Sequence, residues 1–417
     1  NGGTNWGNAN NWYDYYGNEK TKLHADIMEI ETFRKKDNTP FLITCTHGGA
    51  YISYNDQASN TNISLTGHNT GQFYGVLTGQ DNTNYIYGGT QDQGFQRNTT
   101  ANNTEGALDF IQVISGDYGY LTFSSGASKH LWTEYPNGDF TYYSDPNGFG
   151  VAGWQMKGTN LPNYGWMLPA ESSFTGENEI YVGGGNTSGG SGSFLVKVKA
   201  PETAPFAFTI SQFAYNFRIN SNTKNANISS IAVDQTNPDN IYIAAEDGTF
   251  FFFFTKGATW SRTASFDASG GWWLYGSDIL VSTKTANKLW YAGSGYSNPP
   301  VYESIDGGVS FSDISQGLPP TLVYELTANP DESLLFAATE AGPYVYIVED
   351  KQWHPITGQF APVQSYTTVE YIASKNIVRF ATYGRGIWDF TVEKALPVSF
   401  VSIVAFFNCA SVSEATL

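Results

Sequence analysis

Short apolar runs alternate with polar, glycine-containing turns along the whole chain, and one arrangement keeps returning. It consists of a polar turn, an apolar strand that often ends in Ala or Gly, a Gly-containing turn, and a second strand rich in aromatic residues. The pattern is seen in Phe41-Leu42-Ile43-Thr44 ahead of Gly48-Gly49-Ala50-Tyr51, in Tyr85-Ile86-Tyr87-Gly88, and in Leu131-Trp132 ahead of Gly138-Asp139-Phe140. It recurs in Ile180-Tyr181-Val182-Gly183, Ile241-Tyr242-Ile243-Ala244, Leu289-Trp290-Tyr291-Ala292, Leu335-Phe336-Ala337-Ala338 and Ile377-Val378-Arg379-Phe380. The first aliphatic residue of each core strand falls at 42, 86, 131, 180, 241, 289, 335 and 377. A period near ~45 with several strands per unit is what one blade of a β-propeller requires.

Each blade is a small twisted sheet that cannot cover both of its faces alone, so inner strands read as nearly continuous apolar runs. The run Phe250 to Phe254 is the extreme case and predicts a strand wedged between neighbouring blades rather than a ligand groove. The longest interval holds Pro201 and Pro205, which predict a loop inserted between strands. The expected fold class is all-β: a propeller of seven or eight four-stranded blades, followed by the start of a C-terminal β-sandwich. The boundaries expected are 1–22 as the end of a preceding blade, 23–394 as the propeller, and 395–417 as a truncated sandwich or sorting module. His24 to Phe33 reads as the innermost strand of the first full unit, and Val398 to Phe407 as a new strand after the break at Ala395-Leu396-Pro397.

Composition agrees with short strands and tight turns. Among 417 residues there are 44 Gly, 27 Tyr, 28 Phe and 11 Trp, and only 14% are charged. The formal net charge of -17 repels phosphate backbones, so nucleic acid is not an expected partner. No run approaches the ~18 apolar residues of a membrane span. Cys45 and Cys409 lie far apart, outside any framework or CxxC spacing, and are expected to be free buried thiols. No metal and no cofactor is expected.

The polar chemistry concentrates in the first three units, in His24-Ala25-Asp26, Thr46-His47-Gly48-Gly49, Gly89-Thr90-Gln91-Asp92-Gln93-Gly94 and Gly116-Asp117-Tyr118-Gly119. The His47 and Asp92 groups directly follow core strands, positions that gather near one mouth of a propeller's channel. Asp26, Asp92 and Asp117 with the two histidines can serve as a general acid/base pair, can hold a cation, or can tie blades together by hydrogen bonds. Asp247 ahead of Gly248 is open to the same readings. Trp154, Trp166, Trp272 and Trp273 lie in loop-like segments, where aromatic faces can stack on sugar rings or pack between blades. Asn-x-Ser/Thr triplets at Asn62, Asn98, Asn102, Asn186 and Asn227 suggest exposed loops.

Ser304-Ile305-Asp306-Gly307-Gly308-Val309-Ser310-Phe311 fits the Asp-box pattern, in which the Asp caps backbone N–H groups of a tight turn and the aromatic packs under the hairpin. Thr255 to Trp260 and residues 1–6 are decayed copies, and Ser53-Tyr54-Asn55-Asp56 lacks the glycine pair. Leu23-His24-Ala25-Asp26, the Thr46 to Gly49 turn, Gln72-Phe73-Tyr74, Gly89 to Gly94, Gly116 to Gly119 and Ala381-Thr382-Tyr383-Gly384-Arg385-Gly386-Ile387-Trp388 follow in that order. Together they resemble the large secreted Asp-box (BNR, sortilin-like) propeller proteins exported by type IX secretion, whose propellers are similar to those of xyloglucan-cleaving glycoside hydrolases. Leu396-Pro397-Val398-Ser399-Phe400 resembles the linker that leads toward a sorting domain in that family. The resemblance implies a secreted or extracellular, cell-surface attached protein, with a further propeller segment upstream of Asn1. Of the family's catalytic carboxylates, none can be matched to a position here.

Two functions follow as expectations. The first is a non-catalytic binding or scaffold module for polysaccharide or another surface protein, with His24, His47, Gln91, Trp154, Trp166, Trp272 and Trp273 as ligand-binding candidates. The alternative is a glycoside hydrolase acting on β-glucan-type polysaccharide through two carboxylates drawn from Asp26, Asp92 and Asp117.

Overall fold

Each repeat folds as a four-stranded antiparallel meander, because its β-branched and aromatic runs are separated by turns too short for a crossover. The computed structural model describes residues 6–64, 71–98, 108–124, 130–147, 155–156, 161–162, 165–176, 178–201, 207–253, 259–263, 274–356, 362–392 and 403–404. The first sheet holds β1 (Ile27–Arg34), β2 (Pro40–Thr46), β3 (Gly49–Ser53) and β4 (Thr61–Asn62). The second holds β5 (Phe73–Thr78), β6 (Ile86–Thr90), β7 (Gly94–Asn98) and β8 (Phe110–Ile114), and the third β9 (Leu121–Phe123), β10 (Leu131–Tyr135), β11 (Asp139–Tyr143) and β12 (Gln155–Met156). The fourth holds β13 (Ala170–Ser172), β14 (Glu179–Gly184), β15 (Phe194–Lys199) and β16 (Thr209–Gln212). The fifth holds β17 (Ile228–Val233), β18 (Ile241–Ala245), β19 (Phe250–Phe253) and β20 (Ser261–Arg262). The sixth holds β21 (Gly276–Val281), β22 (Leu289–Gly293), β23 (Val301–Ser304) and β24 (Ser312–Asp313). The seventh holds β25 (Val323–Ala328), β26 (Leu334–Thr339), β27 (Gly342–Ile347) and β28 (Gln352–Pro355). The eighth holds β29 (Tyr366–Ile372), β30 (Ile377–Thr382), β31 (Ile387–Val392) and β32 (Ile403–Val404).

All eight repeat positions fall on the second strand of a sheet, so the period read along the chain is the blade. The strand expected across Val398–Phe407 places residues 403–404 on the outer edge of the eighth sheet, paired with β31. The segment carrying Pro201 and Pro205 joins β15 to β16, and residues 202–206 lie outside the described residues.

The ring closes between the eighth and the second sheets. β29 and β30 pack against β5; Thr367 Oγ1 donates to the Phe73 carbonyl at 2.9 Å, and the Thr78 amide donates to Glu370 Oε2 at 2.9 Å. The propeller ring therefore has seven blades, from the second sheet to the eighth. The first sheet stands beside it, and every residue of β1 is exposed. The strand expected between His24 and Phe33 as the innermost of the first full unit is present as β1, the first of its sheet, but it is no inner strand of the ring: no blade among the described residues covers it, so Ile27, Met28, Ile30 and Phe33 face solvent. Cys45 is free but exposed rather than buried, because it lies on β2 of this uncovered sheet; Cys409 lies outside the described residues.

Between blades the core is aromatic. Phe250 packs on Tyr291 and Phe311 of the next sheet, while Phe251 points the other way, into the cluster holding Tyr181, Leu195 and Phe217. Alternate residues of one strand thus serve two neighbours. The phenylalanine run is blade packing, as its sequence predicts, with Phe254 outside the described residues.

Candidate functional site

Antiparallel pairing sets which residues share a face. Phe73, at the start of β5, pairs with Thr90, at the end of β6, so the chain entering each blade's first strand meets the turn leaving its second. Gln91 and Asp92, Asp117 ahead of β9, and Tyr383 after β30 all lie on that face of the ring. The same rule places His24, Asp26 and His47 together on the first sheet, because Ile27 pairs with Thr46.

The structure brings His24, His47, Asp26 and Asp92 into one cluster. His47 Nδ1 lies 3.0 Å from Asp92 Oδ2 and 3.6 Å from Asp26 Oδ2. His24 Nδ1 lies 3.5 Å from Asp26 Oδ2, and its Nε2 lies 3.9 Å from Asp92 Oδ1. The two imidazoles are stacked with centroids 6.2 Å apart, and Tyr15 meets His24 edge-on at 4.9 Å. His24 is buried, and this burial pulls its imidazole below the usual histidine range against the pull of Asp92 and Asp26. Asp117 borders the cluster: its Oδ1 accepts the Asp92 amide at 3.3 Å, and burial, then the neighbouring Asp92 charge, push its carboxyl up. Tyr15 is fully buried and bonds Gln112 of β8, so the segment before β1 is anchored on the second sheet.

The seven inner strands surround a central cavity of about 600 Å³. Trp166, Tyr120, Tyr74, Tyr275 and Tyr324 line it at the ends where the chain enters those strands, and Glu171, Asp278 and Glu325 line it on the strands themselves. Trp166 is 57% exposed, Tyr120 49% and Tyr275 43%, so these rings are open to the cavity rather than consumed by packing. Tyr74 connects cavity and cluster. Its ring lies 6.0 Å from that of Tyr383, whose hydroxyl donates to Gln91 Oε1, and Asp117 and Asp92 lie within electrostatic reach of its phenol.

Of the sequence candidates, His24, His47, Gln91, Asp26, Asp92 and Asp117 come together beside the ring, at its seam with the first sheet and outside the cavity lining, and Trp166 lines the cavity. Trp154, Trp272 and Trp273 lie outside the described residues. Asp247 is a turn cap: it is buried, Oδ2 accepts from the Thr223 amide at 2.7 Å, and Oδ1 accepts from the Thr249 hydroxyl at 2.6 Å. Burial pushes its carboxyl up, but these bonds outweigh it and hold the carboxyl below the usual range.

The channel carboxylates were missed by motif reading. Burial pushes Glu171 up to about 8, and Asp278 up to about 6. Burial and the charge of Asp278 hold Glu325 well above its ordinary range. Their signal is a single acid set among apolar and hydroxyl residues of an inner strand, as in Ser277-Asp278-Ile279 and Tyr324-Glu325-Leu326. Two of them also cross to the next blade: Asp278 Oδ2 accepts the Leu326 amide at 2.7 Å, and Glu325 Oε2 accepts the Val369 amide at 2.9 Å.

No protein-family model matches the chain, and no curated protein matches it by sequence. Among solved structures it is similar to the Cps50 (Swd1) β-propeller domain of Myceliophteria thermophila, with a TM-score of 0.54 and 11% identity, covering 78% of this chain and 97% of that one. It is also similar to the extracellular domain of BT4673 from B. thetaiotaomicron, with a TM-score of 0.55 and 12% identity, covering 80% of this chain and 40% of that one. No helix of the described residues is long and apolar enough to cross a membrane. At such low identity the likeness establishes the architecture alone, and that architecture is the β-propeller.

Proposed function

We propose that this chain is a non-catalytic binding module whose ligand, a polysaccharide, sits at the channel mouth bordered by Trp166, Tyr120, Tyr275 and Tyr74. The observation that carries this reading is the set of open aromatic rings around a cavity with hydroxyl and carboxyl groups beneath them. Aromatic faces take up the apolar faces of pyranose rings, and side chains such as Ser277, Thr367 and Gln80 offer partners for sugar hydroxyls. A secreted or cell-surface place, of the Asp-box propeller kind exported by type IX secretion, fits this role. One solved neighbour is itself an extracellular domain, and the order of motifs from His24 to Trp388 supports the same reading.

The test is isothermal titration of the chain with β-glucan and xyloglucan oligosaccharides, followed by Trp166→Ala. Binding is expected, and the variant is expected to lose about tenfold in affinity, equivalent to ~1.4 kcal/mol. Absence of binding across a glycan array, or a variant that binds as the parent does, rejects the saccharide reading.

A hydrolase keeps one specific support, the carboxyl of Asp117 beside Asp92, which burial and the Asp92 charge push up in the direction a general acid needs. It predicts release of reducing sugar from β-glucan that Asp117→Asn abolishes.

A further inference from the structure

Outside the sugar-facing channel lies a set of side chains that saccharide binding does not use. We infer that His24, His47, Asp26 and Asp92 form a binding site for a transition-metal dication of the Zn²⁺ class, placed at the seam between the first sheet and the propeller ring.

Three observations converge. One donor atom each from His24, Asp26 and Asp92 lie within 4.8 Å of one another, and His47 Nδ1 joins them at 3.0 Å from Asp92 and 3.6 Å from Asp26. Around an ion held by bonds of ~2.0–2.1 Å, tetrahedral ligands stand about 3.3 Å apart, and the pairs that would share the ion are close to that: His24 Nε2 lies 3.9 Å from Asp92, and His47 Nδ1 lies 3.0 Å from Asp92 and 3.6 Å from Asp26. Second, the donors are not consumed by other bonds. Asp92 Oδ2 is shut off from solvent and makes no hydrogen bond among the described residues, with His47 Nδ1 of the same set 3.0 Å away, and His24 is only 4% exposed with Nε2 3.9 Å from Asp92. A buried carboxylate oxygen left in this way is costly unless a cation answers it. Third, the chemistry of the set is mixed: two imidazoles favour a borderline ion over Ca²⁺ or Mg²⁺, which prefer all-oxygen surroundings.

Ion binding changes the tautomer of His24. Nδ1 of His24 accepts the Asp26 amide at 3.2 Å, leaving the ring proton on Nε2. Binding through Nε2 needs the other tautomer: Nε2 loses its proton, Nδ1 gives up the Asp26 amide and takes a proton instead, and Asp26 Oδ2, 3.5 Å away, turns to accept it, with the second carboxylate oxygen left for the ion. His24 and Asp26 precede β1 and His47 follows β2, whereas Asp92 follows β6. The ion therefore clips the uncovered first sheet to the ring, a role distinct from the mouth's.

The experiment uses the full chain stripped with a chelator and titrated with ZnCl₂ and, separately, CoCl₂. Expected results are one ion per chain, an intense visible Co²⁺ spectrum of four-coordinate character, and a rise in melting temperature with added Zn²⁺. Asp26→Asn, at an exposed position that does not endanger folding, and His47→Gln are each expected to weaken binding at least tenfold. His354→Gln removes the only other histidine–aspartate pair among the described residues, with Asp350, and is expected to leave the titration unchanged. Failure to bind either ion, binding that survives both cluster variants, or binding lost with His354→Gln overturns the site. None of these outcomes bears on saccharide binding, which Trp166→Ala tests separately.

Discussion

At residue scale the turns between outer strands show how one backbone shape survives a change of side chains. In the turn after β23, Ser304 Oγ accepts the Gly308 amide at 2.9 Å, Asp306 Oδ1 accepts the Ser310 amide at 2.9 Å, and Gly307 and Gly308 take positive φ. The turn after β3 repeats each of these bonds: Ser53 Oγ accepts the Gln57 amide at 2.9 Å, and Asn55 Oδ1 accepts the Ser59 amide at 2.9 Å. Asp56 and Gln57 there take φ of 54° and 63°, where the other turn has glycines. The missing glycine pair hid this copy from pattern reading, because a side-chain oxygen two residues along holds the left-handed backbone without them. Two outcomes follow for urea midpoints. Asp306→Ala is expected to cost about 1 kcal/mol through its lost caps. Asp56→Gly is expected to stabilise by about 0.5 kcal/mol, since glycine takes that φ without strain. Legibility at this scale was uneven. Asp92 and His47 were visible because each follows an apolar strand in a Gly-bounded turn, whereas the partnership of His24 with Asp92 depends on how two sheets dock, which no spacing along the chain encodes.

At the scale of elements the ring is fastened by side chains that cross from one inner strand to the next. Asp278 reaches β25, Glu325 reaches β29, and Glu370 reaches β5, so three successive seams carry the same carboxylate-to-amide bond. Ser277 repeats the role of Thr367, donating to the Val323 carbonyl across its own seam. The closing seam has an added device. Buried Arg379 on β30 holds Asp389 in two bonds of 2.7 Å and donates to Thr78 Oγ1 of β5 at 2.7 Å. Arg379 is buried while Asp389 is 38% exposed, so Asp389 stays solvated when its partner goes, and Arg379→Met is expected to destabilise by about 1–2 kcal/mol, mainly through the lost bonds to Asp389 and Thr78, read as a shift of the denaturation midpoint. Arg379→Lys is not expected to substitute, since an ammonium lacks the planar fork that meets both oxygens.

For the whole molecule the channel carboxylates set the pH response. Glu171, Glu370 and Asp278 are raised to about 8, 7 and 6 from ordinary values of 4.5, 4.5 and 3.8, and Glu325 moves in the same direction. A group whose folded pKa is raised keeps its proton in the fold after the unfolded chain has lost its own. Stability is therefore full below the ordinary carboxylate range, falls as pH rises from about 4 to about 8, and levels off above. Capped carboxylates such as Asp247 and Asp331 are shifted down, so they act only at the acid edge of that window. Melting temperatures measured across the window are expected to decline, and Glu171→Gln is expected to flatten the upper part of the decline. A melting temperature that rises from pH 5 to pH 8 contradicts this account. The architecture itself was legible, since a period carried by every second strand survives divergence: burial of that strand depends on its neighbours' shape, not on any one residue. What the period left open was closure, because a count of eight sheets fits a ring of eight or a ring of seven with one beside it. The exposed face of β1 and the bonds from Thr367 to Phe73 distinguish them.

That closure has a consequence for how the chain reaches its shape. The sheet beginning at Phe73 meets its final neighbour only through residues from Thr367 onward, nearly 300 positions later in the chain though adjacent in the ring. During synthesis its side facing that neighbour must wait, wet and unpaired, while the intervening blades emerge, and such late, non-local docking is slow. A nascent chain halted before β29 should accordingly display Phe73 and Val76 to proteases and chaperones, and lose that vulnerability once the last blade arrives.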